Sequence, residues 1–339
     1  MFDTKMLAAD DASISEAVRL LKSGEVVGMP TETVYGLGAN ALDEIAVRKI
    51  FAAKGRPADN PLIVHISSFD MIKPLVSYIP QLAYRCAQEF WAGPLTMIMP
   101  KSDIIPEVTS GGLDTVGIRM PSHKAARAII DRCGFPIAAP SANLSGSPSP
   151  TTAGHVFNDM NGRIPAIVDG GFSAVGVEST VISFEDDAIR ILRPGFISAE
   201  ELKEITPNVI IDKGVIAKLE QGAIARSPGM KYKHYAPKAD ITIIDGSLDA
   251  FRAYVKKHSD SDTVCMVFEQ SDCEELDVKS IIYGKSDEKQ AHLLFDTLRE
   301  LDNIGAKKVF ARCPRKSGVG LAVYNRLLRA AAFQVVTLK

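Results

Sequence analysis

Apolar positions along the first 200 residues switch between two periods. At Ile14, Ala17, Val18 and Leu21 they recur at helical spacing, which predicts a helix over 14–22 closed by Gly24 in the manner of a C-cap. Val26-Val27-Gly28-Met29 is a short run of the kind a buried strand makes, and it delivers the chain into Pro30. Further helices are predicted at about 44–53, 81–90 and 124–131. Strands are predicted at 62–66, 95–99, 115–119, 137–139, 164–169, 179–183 and 189–193. Helices separate the strands early and strands predominate late, the pattern of an α/β domain with a mixed sheet. A simpler alternation follows, with strands at 240–244, 263–268 and 308–311 and helices at 248–257, 290–301 and 321–333.

Between these halves the periodicity stops. The end of the connector, Ser227 to Lys238, holds two prolines, a glycine and two tyrosines without any repeat. A plain spacer would be Gly/Ser-rich or charged, so this segment is expected to dock onto something. The expected division is a catalytic domain over 1–205, a docking linker over 206–238 and a C-terminal α/β domain over 239–339. A chain of 339 residues is too long for one typical core, which agrees with two domains.

Charge sharpens the picture once it is divided. Residues 1–200 carry a net −5, residues 201–238 a net +3, and residues 239–339 balance. An acidic first half does not favour a dedicated nucleic-acid surface, and an anionic ligand there would need a local cluster of cations. The five cysteines are odd in number and never spaced C-x-x-C, which argues against a disulfide framework or a zinc site and for a reducing cytoplasm. The acidic N-terminus lacks the order of a signal peptide, and no apolar run reaches the length of a membrane span. A cytoplasmic protein without membrane contact is expected.

Four polar, Gly- and Pro-rich stretches are the candidate chemistry. They are Pro30-Thr31-Glu32-Thr33-Val34-Tyr35-Gly36-Leu37-Gly38, Lys54-Gly55-Arg56-Pro57-Ala58-Asp59-Asn60-Pro61-Leu62, Pro140-Ser141-Ala142-Asn143-Leu144-Ser145-Gly146, and the linker end from Ser227 to Pro237. Singly, each has an ordinary explanation. Lys54 and Arg56 at a helix end can merely complement its dipole, His65 can be a satisfied core histidine, and Ser141 with Asn143 can make a turn. Gly36-x-Gly38 after a strand is a weak dinucleotide signal, and no P-loop sequence occurs. Thr115 and Arg119 share one face of a predicted strand, and an arginine on an otherwise apolar strand calls for a carboxylate partner. Arg193-Pro194-Gly195 repeats that situation.

Together these stretches resemble the threonylcarbamoyl-AMP synthase family in its long two-domain form. The resemblance rests on the K-x-R pair Lys54 and Arg56, the S-x-N pair Ser141 and Asn143, the P-T-E-T-V-Y-G-L-G, K-G-R-P-x-x-N-P-L, G-P-L-T and P-S-A-N-x-S-G segments, and the S-P-G-M-x-Y-x-H-Y-x-P linker. Motifs run from about residue 10 to 238. One departure, Ala92 in Trp91-Ala92-Gly93-Pro94 where the family often has proline, touches loop rigidity only.

The resemblance implies a YrdC-like twisted mixed sheet with flanking helices, followed by a smaller Rossmann-like α/β domain. It implies an ATP-dependent nucleotidyltransferase that joins L-threonine and bicarbonate into threonylcarbamoyl-adenylate with release of pyrophosphate. A separate transferase complex would use that product to modify tRNA. Lys54 and Arg56 would be catalytic. Arg56, Asn60, Thr115, Ser141, Asn143, Ser149, Arg193 and Tyr235 would contact ATP. Thr33, His65, Arg119, Ala139 and Ser179 would hold threonine, with Arg119 on its carboxylate. His234 and Tyr235 would close over the pocket. Mg²⁺ is implied with ATP, though no ligand for it can be named, and zinc, haem and nicotinamide are not expected. The rival is a double-stranded RNA-binding protein of the same fold without adenylating activity. A carbamoyl transferase would need paired C-x-x-C modules that are absent. An independent nucleotide site in residues 240–339 has only Gly318-Val319-Gly320 to suggest it.

Overall fold

The computed structural model describes residues 2–58, 60–216 and 235–338. The first part runs β1 (Lys5–Ala8), α1 (Asp11–Lys22), β2 (Val27–Met29), β3 (Gly36–Asn40), α2 (Glu44–Lys54), β4 (Ile63–His65), α3 (Gln81–Phe90), β5 (Leu95–Pro100), α4 (Glu107–Ser110), β6 (Thr115–Arg119), α5 (Lys124–Cys133), β7 (Ile137–Ala138), α6 (Ala153–Met160), β8 (Ala166–Asp169), β9 (Thr180–Glu185), β10 (Ala188–Arg193), α7 (Ala199–Lys203) and β11 (Val209–Ile211). These strands form one sheet in the order β1-β8-β2-β3-β7-β4-β6-β5-β9-β10-β11. It is mixed: β4 lies parallel to β6 and antiparallel to β7, and β5 lies antiparallel to β6 and parallel to β9.

The second part runs β12 (Asp240–Asp245), α8 (Leu248–His258), β13 (Thr263–Val267), β14 (Lys279–Ile282), α9 (Asp287–Asn303), β15 (Lys308–Arg312), α10 (Gly318–Ala330) and β16 (Val335–Thr337). Its five strands, ordered β14-β13-β15-β12-β16, are all parallel, as expected of a Rossmann-like unit. The helix predicted at 321–333 starts earlier, so Gly318 to Gly320 is simply the first turn of α10.

Two helix ends bear on function. Asp43 accepts from the amides of Ile45 and Ala46 and starts α2. Gly55, in the left-handed conformation at φ 61°, stops α2 immediately after Lys54. The chain therefore leaves the helix with Lys54 pointing inward and Arg56 already in the loop. One expectation is corrected here. Gly36-Leu37-Gly38 lies in strand β3, paired antiparallel to β2 and β7, rather than in the polar loop. The polar loop itself is only residues 30–35. The linker segment is also shorter at its start than its composition suggests, since β11 pairs with β10 in the main sheet.

The two parts share buried surface. Val34, Val175, Val177 and Tyr235 belong to the same apolar cluster as Leu294, Phe295, Leu298 and Leu327 of α9 and α10. Polar contacts flank it: Arg299 on α9 donates to Asp159 on α6 at 2.7 Å and to the Pro148 carbonyl. Gly176 at φ 82° lies so close to α9 that a Cβ there would sit 2.4 Å from the His292 carbonyl oxygen. Among the described residues no helix is long and apolar enough to cross a membrane.

Candidate active site

The loop after β2, the ends of β4, β6 and β7, the loop at 140–143 and the start of β9 surround one cleft with about 660 Å³ of empty space, counted to its open mouth. Thr33, Arg56, His65, Arg119, Ala139, Ser141, Asn143, Ser179, Arg193 and Tyr235 all line it. These residues come from eight separate places in the sequence, between positions 33 and 235. His234 lies outside the described residues.

The 30–35 loop is held by its own first threonine. Thr31 Oγ1 accepts from the Thr33 and Val34 amides and donates to the Val34 carbonyl at 2.6 Å. The Tyr35 amide donates to the Pro150 carbonyl, which ties this loop to the one carrying Ser149. The Tyr35 hydroxyl donates to the Gly171 carbonyl.

The two halves of the K-x-R and S-x-N signature are physically one structure. Lys54 is only 3% exposed, and its ammonium donates to the carbonyls of Ser141 and Asn143, the latter at 2.8 Å. Ser141 Oγ donates to Asn143 Oδ1 at 2.6 Å, and Asn143 Nδ2 donates to the Leu144 and Ser147 carbonyls. Burial pushes the Lys54 ammonium well below its ordinary pKa, and the nearby Arg56 charge adds to that. Lys54 thus stands behind the cleft wall, bracing the loop that carries Ser141, while Arg56 faces the cleft.

His65 and Arg119 end the parallel neighbours β4 and β6 in register with each other. His65 is 2% exposed, and burial, reinforced by Arg119, holds its imidazole down at about 3. It is therefore neutral near pH 7. Its Nδ1 faces the Ile63 carbonyl at 3.2 Å. A carbonyl only accepts, so this contact calls for the proton on Nδ1, and the Ile137 backbone also lies against the ring.

Arg119 has the carboxylate partner its strand position calls for, and the protein supplies it. Glu32 of the P-T-E-T segment lies 2.7 Å from Arg119 Nη2, with both side chains buried. Burial pushes the Glu32 carboxyl up, but Arg119 more than offsets this and leaves it below its ordinary value. Arg193 reaches the start of β9, where Nε donates to the Ser179 carbonyl and Nη2 to Ser179 Oγ, both at 3.1 Å. Burial lowers Arg193 to about 10, so it stays charged at neutral pH. Ser179 Oγ also lies 2.8 Å from Thr96 Oγ1.

Four predicted contacts sit apart from the cleft lining. Lys54 and Ser149 stand one hydrogen bond behind it; Ser149 Oγ donates to Glu178 Oε1 at 2.7 Å. Asn60 is buried beside Pro61, which does line the cleft. Thr115 starts β6 opposite Pro100, four residues from Arg119, or about 13 Å along a strand. A shared strand face aligns the two side chains, with Arg119 on the cleft lining and Thr115 farther out along the strand. Glu178, which lies in none of the four polar stretches, is the one carboxylate that lines the cleft among the described residues. A single acid between the valines of Val175-Gly176-Val177-Glu178-Ser179-Thr180-Val181 was the available signal. Burial pushes Glu178 up, yet Arg326 and Arg193 overcome that and hold it at about 2.

The family model described as "Telomere recombination" matches residues 19–195, and the one described as "Threonylcarbamoyl-AMP synthase, C-terminal domain" matches residues 197–332. The chain is 43% identical to the threonylcarbamoyl-AMP synthase of Pyrococcus abyssi, covering 96% of each chain. It is 44% identical to that of Bacillus subtilis over 98% of this chain and 97% of the other. The structure of Pyrococcus abyssi Sua5 complexed with L-threonine superposes with a TM-score of 0.91 at 41% identity, over 99% of this chain and 100% of that one. By its domains, its fold and the residues gathered in its cleft, the chain belongs to the threonylcarbamoyl-AMP synthase family, in the two-domain form.

Proposed function

We propose that this cleft carries out adenylation of N-carboxy-threonine, using ATP, bicarbonate and L-threonine. The threonine amine adds to bicarbonate with loss of water. A carbamate oxygen then attacks the α-phosphorus of ATP, the bond to the β-phosphate oxygen breaks, and pyrophosphate leaves. Such a displacement is mostly positioning and charge neutralisation. The observation that carries this reading is the convergence of Arg56, Arg119 and Arg193, with His65, Ser141 and Ser179, on one partly enclosed cleft.

In this reading Arg56, Ser141, Asn143, Arg193 and Tyr235 face the nucleotide, with Asn60, Thr115 and Ser149 completing its surroundings. Lys54 acts by keeping the S-x-N loop in place. Thr33, His65, Ala139 and Ser179 hold threonine. Arg119, already paired with Glu32, binds the threonine carboxylate as a second anion on its fork. Tyr235 covers the site and excludes water from a carbamate and a mixed anhydride.

Among the described residues no group of three acidic, histidine or cysteine side chains could hold a metal, and Glu178 is committed to Ser149 and Arg326. The residues do not fit a resident metal, so Mg²⁺ is assigned to the nucleotide it accompanies. The product would pass to a separate tRNA-modifying transferase complex in the cytoplasm, which suits five free thiols. The deciding experiment is pyrophosphate release from ATP with threonine and bicarbonate omitted in turn. Release that needs both is expected. Salt-dependent RNA binding without such turnover would favour the RNA-binding alternative.

A further inference from the structure

Arg326 is fully buried, although it belongs to α10 of the C-terminal domain. Its Nε donates to Glu178 Oε2 at 2.6 Å, across 148 residues of sequence, and Nη2 reaches the Glu178 carbonyl oxygen at 3.4 Å. Its Nη1 donates to Asn325 Oδ1, and Asn325 in turn donates to the Val215 carbonyl. On its other side the guanidinium lies 5.9 Å from the centre of the Tyr235 ring, which also packs on Phe295 at 5.2 Å. Glu178 and Tyr235 both line the cleft. The other oxygen of Glu178 accepts from Ser149, and Arg193 adds its charge to the same carboxylate.

We propose that Arg326 is a positioning residue for the nucleotide side of the cleft, through which the C-terminal domain completes the catalytic site. Its guanidinium fixes the Glu178 carboxylate, which fixes Ser149 and balances Arg193, and the same group backs the Tyr235 ring. Salt bridging alone would need only a charge. Here one face and three nitrogens of one planar fork are used, which lysine cannot reproduce. A side chain serving only to glue two domains together has no need to end on a carboxylate in the cleft wall. Nearby Arg299 already supplies such a contact, to Asp159 outside the cleft.

The inference rests on the adenylation reading, and the test separates the two. Arg326→Lys, Arg326→Met and Glu178→Gln are made in the full chain, and thermal melting selects those that remain folded at the assay temperature. Pyrophosphate release then gives KM for ATP and kcat, and calorimetry gives the affinity for threonine. The expected result for Arg326→Lys is a rise of about tenfold or more in KM for ATP, with threonine affinity within about threefold of wild type. Glu178→Gln should reproduce that rise, and the Arg326→Met, Glu178→Gln double variant should lose little beyond either single one. Folded variants with an unchanged KM for ATP would overturn the inference while leaving the adenylation reading intact. Equal losses of ATP and threonine binding would reduce Arg326 to a general structural role. Absence of turnover in the wild-type chain would instead strike at the adenylation reading itself.

Discussion

Gly195 offers a sharp test of how the threonine side of the cleft is built. It follows Arg193-Pro194 and packs against the start of β9. A Cβ at this position would lie 2.2 Å from the Thr180 amide nitrogen, 2.6 Å from the Ser179 carbonyl carbon and 2.7 Å from Thr180 Oγ1. Two of these atoms are backbone, so Gly195→Ala must push the Ser179-Thr180 peptide back by about 1 Å in a close-packed interior. Bonds in the way are Thr180 N to the Pro94 carbonyl at 2.9 Å, Thr180 Oγ1 to the Ile197 carbonyl at 2.7 Å and Arg193 Nε to the Ser179 carbonyl. Overpacking of this kind costs about 1–3 kcal/mol, and each strained hydrogen bond adds about 1 kcal/mol. A loss of roughly 2–4 kcal/mol is expected in urea unfolding with an unchanged slope. A displacement of about 1 Å in a positioning group can cost about 100-fold in turnover. Pyrophosphate release by the folded variant should fall to that degree. Stability within about 0.5 kcal/mol of wild type, with at least half its activity, would refute the account of this wall.

Arg56 faces the cleft from a half-buried position, so Arg56→Ala should lower turnover at least about 100-fold while changing unfolding free energy by no more than about 1 kcal/mol. Glu32→Gln leaves Arg119 buried without its counter-charge and should cost about 2–4 kcal/mol in urea unfolding; a neutral effect would mean that the pair does not shape the site. His65 has a folded pKa of about 3, below its unfolded value of 6.5, so the unfolded chain binds the extra proton. Its contribution to stability is complete above pH 6.5 and is lost as pH falls toward 3. It should steepen the pH dependence of unfolding by about 1.4 kcal/mol per pH unit in that window, and His65→Gln should flatten it.

Elements with a strong period were legible in the sequence. Helix α3 and strand β6 have the bounds that periodicity alone predicts. Strand β3 was not, because glycines at 36 and 38 imitate a turn. Their reason is close approach: a Cβ on Gly38 would lie 2.8 Å from Met29 Sδ, and one on Gly36 would lie 3.1 Å from Ala139 Cβ. Strands β1, β14 and β16 are short sheet edges with little buried face, so they leave no alternation to find. At the site, motifs identified most of the cleft lining but not its internal pairings. That Arg119 would meet Glu32, or Glu178 meet Arg326, depends on contacts that local patterns do not encode.

The ion pair between Glu178 and Arg326 also sets an order of events during synthesis. Ribosomes add about 5–20 residues per second, so the carboxylate emerges roughly 7–30 s before its guanidinium across the 148 intervening residues. Through that interval the cleft wall has an acid with no arginine from α10 to hold it. A nascent chain can therefore lay down most of the large sheet while Glu178 still lacks its arginine, so this part of the cleft wall is completed only after α10 has been made.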